Sequence, residues 1–147
     1  MKIKGHFAMA LGLAALTVCP AAKADEVTEW NQNMIEAILT ARVGAAPASR
    51  VTAMVQSAVF DAVNGVFGRY TPVHVPAEAP PGTSARAAAV QAAYGVLVRL
   101  FPTQQATLDA HRATSLAALD DDGDGVFGQS VVRGLAWGQH VADAIWT

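Results

Sequence analysis

Residues 48–64, ASRVTAMVQSAVFDAVN, form the most regular helical pattern in the chain. Their apolar members recur at spacings of three and four residues, which places them on one wide face of an α-helix. The members of this face are Val51, Met54, Val55, Ala58, Val59 and Ala62. Gly65 follows where a left-handed C-terminal residue is favoured, so the sequence predicts that the helix ends at Asn64.

Four further stretches show helical periodicity, and none shows the alternation typical of a half-buried β-strand. These predicted helices cover residues 25–42, 84–101, 103–119 and 129–146. Asp25 or Thr28 is a suitable cap for the first, Ser84 caps the third, and Pro102 stops it. Residues 66–83 contain four prolines and predict a long connection that wraps the surface or packs against another body. The sequence therefore predicts an all-α fold of about five helices in an antiparallel bundle.

The first 24 residues have the pattern of a secretory signal peptide. Lys2 and Lys4 precede the uncharged stretch 7–19, and the segment closes on Ala-Lys-Ala, small residues of the kind that a signal peptidase reads. The apolar stretch is shorter than the roughly 20 residues that span a bilayer. An uncleaved anchor or a buried core helix is the alternative interpretation. We expect cleavage after Ala24, a periplasmic or secreted location, and a helical domain of residues 25–147 without stable membrane insertion.

Cleavage would change the composition of the chain, because every lysine and the only cysteine precede residue 25. The remaining residues carry seven arginines against twelve carboxylates, a formal charge of −5. This balance argues against a nucleic-acid-binding protein, which needs clustered positive charge. Without cysteine, an exported domain cannot form disulfides and must be stabilised by packing alone. The high alanine content favours helices that pack closely through small side chains.

The acidic segment DDDGDG matches the first half of a calcium-binding loop. Asp120, Asp122 and Asp124 occupy the first, third and fifth ligand positions, and Gly125 supplies the turn at the sixth. The twelfth position holds Val131 instead of a bidentate glutamate, which removes about two of the oxygen ligands. The pattern therefore favours an acidic, solvated turn between two helices over a calcium site.

Other polar residues give weaker functional signals. His74, His111 and His140 lack the spacing of a zinc motif, so we expect surface or partly packed imidazoles. No serine lies in a G-x-S-x-G elbow, and the sequence has no glycine-rich phosphate loop. Asp61 and Asn64 share one face near the end of the most apolar helix. Either they hold the proline-rich connection by binding its backbone, or they lie in an exposed C-terminal turn; a catalytic role is the third hypothesis.

Five stretches, taken in order, carry a family resemblance. They are VTEWNQNMIEAI at 27–38, RVTAMVQSAVFDAVN at 50–64, RYTP at 69–72, the segment 87–108, and GQHVADAI at 138–145. The segment 87–108 contains VL at 96–97 and LFP at 100–102. Their order and spacing resemble the N-terminal helical region of bacterial vanadium-dependent haloperoxidase-like proteins, within the type 2 phosphatidic acid phosphatase (PAP2) superfamily. The resemblance covers nearly all of the chain after the signal. One position departs from it, since Gln56 stands where histidine is common.

The resemblance implies an all-α fold and an oxyanion site for vanadate or phosphate. In that family the site is built from three sequence motifs. The first is a lysine followed, after six residues, by Arg-Pro, and the second is Pro-Ser-Gly-His. The third is Ser-Arg, followed after five residues by His and after three more by Asp. The cations neutralise the oxyanion, and a histidine binds the metal or attacks phosphorus. Residues 25–147 contain no lysine, and Ser49-Arg50 is followed by Gln56 where the histidine would fall. No catalytic or cofactor-binding residue is therefore assigned, and we do not expect vanadate to bind this chain.

The last predicted helix lacks the glycine, basic residues and cap that usually end a helix, so we expect the natural polypeptide to continue. The resemblance then implies the N-terminal scaffold portion of an exported vanadium haloperoxidase-like or acid-phosphatase-like protein. Its partner would be the C-terminal catalytic half, and this portion would be inactive alone. The alternative is a complete small periplasmic all-α module that binds or interacts through an apolar groove between helices. A third hypothesis is a calcium-stabilised module.

Overall fold

The computed structural model describes residues 25–120 and 128–147. They form five α-helices, namely α1 (Glu26–Thr40), α2 (Ala45–Phe67), α3 (Ala85–Leu100), α4 (Gln105–Asp120) and α5 (Gln129–Ala144). A short 3₁₀ helix, Pro102–Gln104, precedes α4. Within these two ranges there is no β-strand, and no helix has both the length and the apolar character needed to cross a membrane. The prediction of an all-α fold is confirmed.

Helices that follow each other in the sequence run antiparallel. A connection of four residues turns the chain back from α1 into α2. Between α3 and α4, the Tyr94 hydroxyl donates to Asp109 at 2.6 Å and Nε of Arg112 donates to Gln91 at 2.7 Å, so rising numbers on α3 meet falling numbers on α4. The predicted antiparallel bundle is thus confirmed for consecutive helices. The helices α3 and α5, which lie two steps apart in the chain, run parallel, since positions 134 and 138 of α5 approach Ser84 and Ala88 respectively.

The central helix is α3, which contacts each of the other four α-helices. The sequence predicts one apolar side that includes Tyr94 and Leu97, but buried residues occur on every side of this helix. Alanine and glycine occupy most of these positions, so the neighbouring helices can approach without large side chains between them. The buried residues are Ala87, Ala88, Ala89, Val90, Gln91, Ala92, Ala93, Gly95, Val96 and Leu97.

α5 packs against α3 through a stripe of small residues. Gly134, Gly138 and Ala142 are buried and lie four residues apart on α5. A Cβ added at position 134 would lie 2.6 Å from the carbonyl oxygen of Ser84, and one added at position 138 would overlap the carbonyl oxygen of Ala88. The two backbones therefore touch directly. This is the close packing through small side chains that the alanine content predicts.

α2 is longer than predicted at both ends. Pro47 lies in its first turn, where the backbone N–H groups have no partner within the helix and a missing N–H is tolerated. At the other end the helix continues past Asn64 to Phe67, and Gly68 adopts the left-handed conformation with φ of 60°. The predicted end at Asn64 is therefore wrong, because the glycine that terminates the helix is Gly68 and not Gly65.

Gly65 serves a packing role inside α2. The indole of Trp137 lies against its Cα, and a Cβ there would overlap the ring. The Trp137 indole N–H also donates to the Ala62 carbonyl at 2.9 Å, in a buried position. Gly65 and Trp137 together seat α5 on α2.

The predicted caps are confirmed at two helices. The Asp25 carboxylate accepts the backbone N–H of Thr28 at 2.8 Å and begins α1, and Ser84 caps α3. The spacing of Trp30, Met34, Ile38 and Ala41 predicts an apolar stripe on α1, but Ala41 is exposed because the helix ends at Thr40. Pro102 ends α3 as predicted and also begins the 3₁₀ helix.

A salt bridge ties the start of α1 to the start of α3. Nε and Nη2 of Arg86 donate to Oε1 of Glu26 at 3.0 and 2.5 Å. These hydrogen bonds lower the pKa of Glu26 below its ordinary value of 4.5, while burial of the carboxylate acts in the opposite direction. The charged form of Glu26 is therefore stabilised in the folded state.

Acid should weaken this tie. Since the pKa of Glu26 is lower in the folded than in the unfolded state, its contribution to stability is present above about pH 4.5 and is lost as the pH falls through the folded-state pKa. We expect Glu26→Gln to lose less stability than wild type on acidification, measured by urea unfolding across this range. Glu36→Gln removes an exposed carboxylate from the same helix and should behave as wild type. The same acid dependence in all three proteins would contradict this role of Glu26.

Replacement of Gly138 tests the backbone contact between α3 and α5. A Cβ at this position would overlap the carbonyl oxygen of Ala88 and lie 2.9 Å from Cβ of Gln91. We expect Gly138→Ala to lower the free energy of unfolding by about 1–3 kcal/mol, as overpacking does. The measurement is urea unfolding followed by circular dichroism. Helix propensity alone predicts a gain of about 1 kcal/mol, so a stabilised variant would refute the contact.

Ala136 offers the matched control for that experiment. It is exposed on the same helix, two residues from Gly138. Ala136→Leu adds more atoms than Gly138→Ala but should leave the unfolding free energy within about 0.5 kcal/mol of wild type, as is usual at exposed sites.

Candidate functional site

Asp61 anchors the connection between α2 and α3. Its carboxylate is only 1% exposed. Oδ1 accepts the backbone N–H of Val73 at 2.7 Å, and Oδ2 accepts those of His74 and Val75 at 2.7 and 2.8 Å. Three successive backbone donors thus converge on one buried carboxylate, which compensates for the cost of burying its charge.

Asn64 holds the same connection closer to the helix. Its Nδ2 donates to the Tyr70 carbonyl at 2.7 Å, and its Oδ1 accepts the Tyr70 N–H at 2.9 Å. Both side chains therefore bind the backbone of the proline-rich connection, and this hypothesis from the sequence is confirmed. The alternative of an exposed C-terminal turn is wrong, because Asp61 and Asn64 are buried.

Beyond these anchors the connection wraps the bundle as far as α5. Val75 is buried, and Nε2 of His74 lies 3.0 Å from the Ala144 carbonyl oxygen. Nη2 of Arg133 donates to the Gly82 carbonyl at 2.7 Å. The predicted course over the protein surface is therefore confirmed, and packing of this segment against another body stays a prediction.

The three histidines after the signal lie apart from one another. His111 is half-buried, and His74 and His140 are exposed, as predicted. The ring of His140 stacks on Trp137 with 5.3 Å between centroids. Among residues 25–120 and 128–147, no three His, Cys, Asp or Glu side chains are grouped so that they could hold a metal ion.

The calcium-loop hypothesis concerns a segment that the structure does not cover. Asp122 and Asp124 lie outside the described residues, as does the side chain of Asp120. Calcium binding at this turn therefore stays a prediction.

An open groove runs along the C-terminal half of α2. It has a volume of about 400 Å³, within the range of about 300–1,000 Å³ that is typical of small-molecule sites. Val59, Phe60, Val63 and Phe67 of α2 form its main wall, and Val27 of α1 faces them. The groove is therefore mostly apolar, and two of its aromatic side chains are largely open to solvent.

The polar end of the groove is formed by Arg69 and Tyr70. The Arg69 guanidinium lies over the Phe67 ring, 5.1 Å from its centroid, and the Tyr70 ring contacts Phe60 at 6.2 Å between centroids. No carboxylate of the described residues forms an ion pair with Arg69. Because Asn64 binds the Tyr70 backbone on both sides, this end of the groove is held in place by the bundle itself.

A second polar network joins α3 to α4 and α5. Gln91 is buried, accepts a hydrogen bond from Arg112 of α4 at 2.7 Å and donates to Gln139 of α5 at 2.7 Å. Beside it, the hydrogen bond to the Asp109 carboxylate raises the pKa of Tyr94, and burial of the phenol acts in the same direction. This network links three helices.

The groove was not identified from the sequence. Phe60, Val63 and Phe67 have the helical spacing i, i+3 and i+7, which is the signal that could have revealed it. The predicted end of α2 at Asn64 placed Phe67 in the connection and removed it from this face.

Comparisons of the chain with protein-family models, with curated proteins and with solved structures found no match. The resemblance to haloperoxidase-like proteins thus rests on the sequence patterns alone and stays a hypothesis.

Asp61→Asn tests the anchor of the connection. The amide replaces one acceptor oxygen by a donor that faces backbone N–H groups, and at least one of these loses its partner. We expect a loss of about 2–3 kcal/mol in the free energy of unfolding, together with faster hydrogen exchange at the amides of Val73, His74 and Val75. Asp109→Asn removes a charge at an exposed site and should leave exchange at those three amides unchanged. Unchanged exchange in Asp61→Asn would contradict the assigned role.

Proposed function

We propose that residues 25–147 are the helical scaffold portion of an exported vanadium haloperoxidase-like or acid-phosphatase-like protein. The residues that hold the oxyanion belong to a C-terminal catalytic portion, which is the partner of this bundle. The signal pattern of the first 24 residues supports a periplasmic or secreted location. The chain alone has no turnover.

The use of the charged side chains in the bundle supports this proposal most directly. Arg86 with Glu26 ties α3 to α1, and Arg99 with Asp143 ties α3 to α5. The buried Asp61 holds a connection and does not face an open cavity. An oxyanion site needs cations that converge on one point. Here Arg86 and Arg99 each form a separate link between two helices, which is what a scaffold requires.

An exposed apolar pair on α1 supports a protein partner. Ile35 and Leu39 lie one turn apart on this helix and are exposed, although each is a large apolar side chain. Exposed apolar surface of this kind often marks an interaction site. In the proposed protein these side chains contact the catalytic portion.

Turnover assays test the proposal. We expect the purified chain, supplied with vanadate, to oxidise bromide with hydrogen peroxide no faster than buffer does, and to leave p-nitrophenyl phosphate intact. A related protein that contains the three oxyanion motifs is the positive control. A rate that rises in proportion to the concentration of this chain would overturn the proposal.

The DNA downstream of codon 147 supplies an independent test. We expect an in-frame continuation that encodes the three motifs. A stop codon directly after Thr147 would contradict the scaffold role and favour the second candidate.

The second candidate is a complete small periplasmic module that binds a ligand or partner. The observation that favours it is the groove along α2, whose rim residue Tyr70 is held in place by the hydrogen bonds of Asn64 to its backbone. Cooperative melting of a monomer would favour this module. Aggregation, or strong dye binding at Ile35 and Leu39 outside the groove, would favour the scaffold portion.

A further inference from the structure

We propose that the groove along α2 binds an acyl-chain carboxylate, with the chain along the helix and the carboxylate at Arg69. Such binding goes beyond the scaffold role. The proposal rests on the second candidate function, a complete binding module, and it adds the chemical class of the ligand. The proposal depends on the shape of the groove, on its lining and on the position of its single cation.

The shape of the groove suits a chain. The residues that line it on α2 run from Gln56 to Phe67, which is about 16 Å of helix at 1.5 Å per residue. A groove of about 400 Å³ stretched over this length is long and shallow. It therefore matches an extended acyl chain better than a compact ring system.

The lining favours an apolar body. Phe67 and Tyr70 remain 54% and 69% exposed, and water is in contact with both rings. Each methylene group buried against such surface contributes about 0.8 kcal/mol. The two amide side chains that line the groove are already engaged, since Gln56 donates to Asn31 and Asn64 binds the backbone of Tyr70. They do not compete for a polar group on the ligand.

Charge complementarity selects the head group. Arg69 is the only charged residue that lines the groove, and the described residues offer it no carboxylate. The Phe67 ring supports its guanidinium from one side, which leaves the donor edges available for a planar, bidentate acceptor. A carboxylate is the smallest group that meets this geometry.

Titration with dodecanoate below its micelle concentration tests the proposal. We expect saturable, one-to-one binding by isothermal titration calorimetry. Arg69→Gln should weaken it about fivefold, the effect of one exposed ion pair, and should leave the weaker binding of dodecanol unchanged. The matched control is Arg50→Gln, which removes the same charge from an exposed site on α2 outside the groove and should bind dodecanoate as wild type does. Circular dichroism establishes that all three proteins are folded.

The amide signals of the protein locate the ligand. We expect the largest chemical-shift changes on dodecanoate addition at Val63, Phe67 and Tyr70, and small changes throughout α4. No saturable binding, or equal losses in Arg69→Gln and Arg50→Gln, would overturn the proposal. Binding to phosphatidylglycerol vesicles without binding to monomeric dodecanoate would also overturn it, in favour of a membrane surface.

The outcomes separate this proposal from the scaffold role. If the chain shows neither dodecanoate binding nor turnover, the ligand site is contradicted and the scaffold role is not. If the chain shows both dodecanoate binding and turnover, the ligand site is supported and the scaffold role is contradicted.

Discussion

The burial of α3 on all sides is the constraint on which the rest of the bundle depends. A helix in contact with four others can carry large residues such as Leu97 only where its neighbours leave room, and small residues are needed wherever a neighbour approaches closely. The chain meets this constraint with alanine and glycine on α3 and with Gly134 and Gly138 on α5, so that the two backbones touch. The position of α5 is thereby set by main-chain atoms, which cannot adjust by changing rotamer.

That fixed position of α5 also determines the geometry around the groove. Trp137 of α5 packs into the space left by Gly65, which holds α2 against the bundle along its C-terminal half. The same half of α2 carries Asp61, which binds the connection, and the groove residues, which include Asn64. Trp137 therefore connects the packed pair of α3 and α5 to the half of α2 that carries the groove. The hydrogen bonds of Asn64 to the Tyr70 backbone then fix the rim of the groove.

The sequence predicted the features that depend on local spacing, and it missed those that depend on distant contacts. Helix number and the caps at Asp25 and Ser84 follow from neighbouring residues, and two polar residues on one helix face suggested an anchor for the connection. The two glycines near the end of α2 show the limit. Either is a suitable terminator by sequence, and the choice is made by Trp137, which bonds to Ala62 across 75 positions in the chain. The burial of α3 on all sides was missed for a related reason. In a helix rich in alanine, the buried and exposed faces do not differ clearly in hydrophobicity.

Arg69 distinguishes the two proposals for the surface of α2 on physical grounds. A protein partner that covered Phe67 and Tyr70 would also remove water from the guanidinium between them, and this is costly unless the partner supplies a carboxylate. A chain that lies in the groove and ends in its own carboxylate covers the rings and leaves the charged pair at the rim in water. The groove therefore favours a ligand with an anionic end, and any catalytic portion that docks there must place an acidic residue against Arg69. In either case this arginine sets the charge that the surface can accept, while the apolar wall contributes most of the binding free energy.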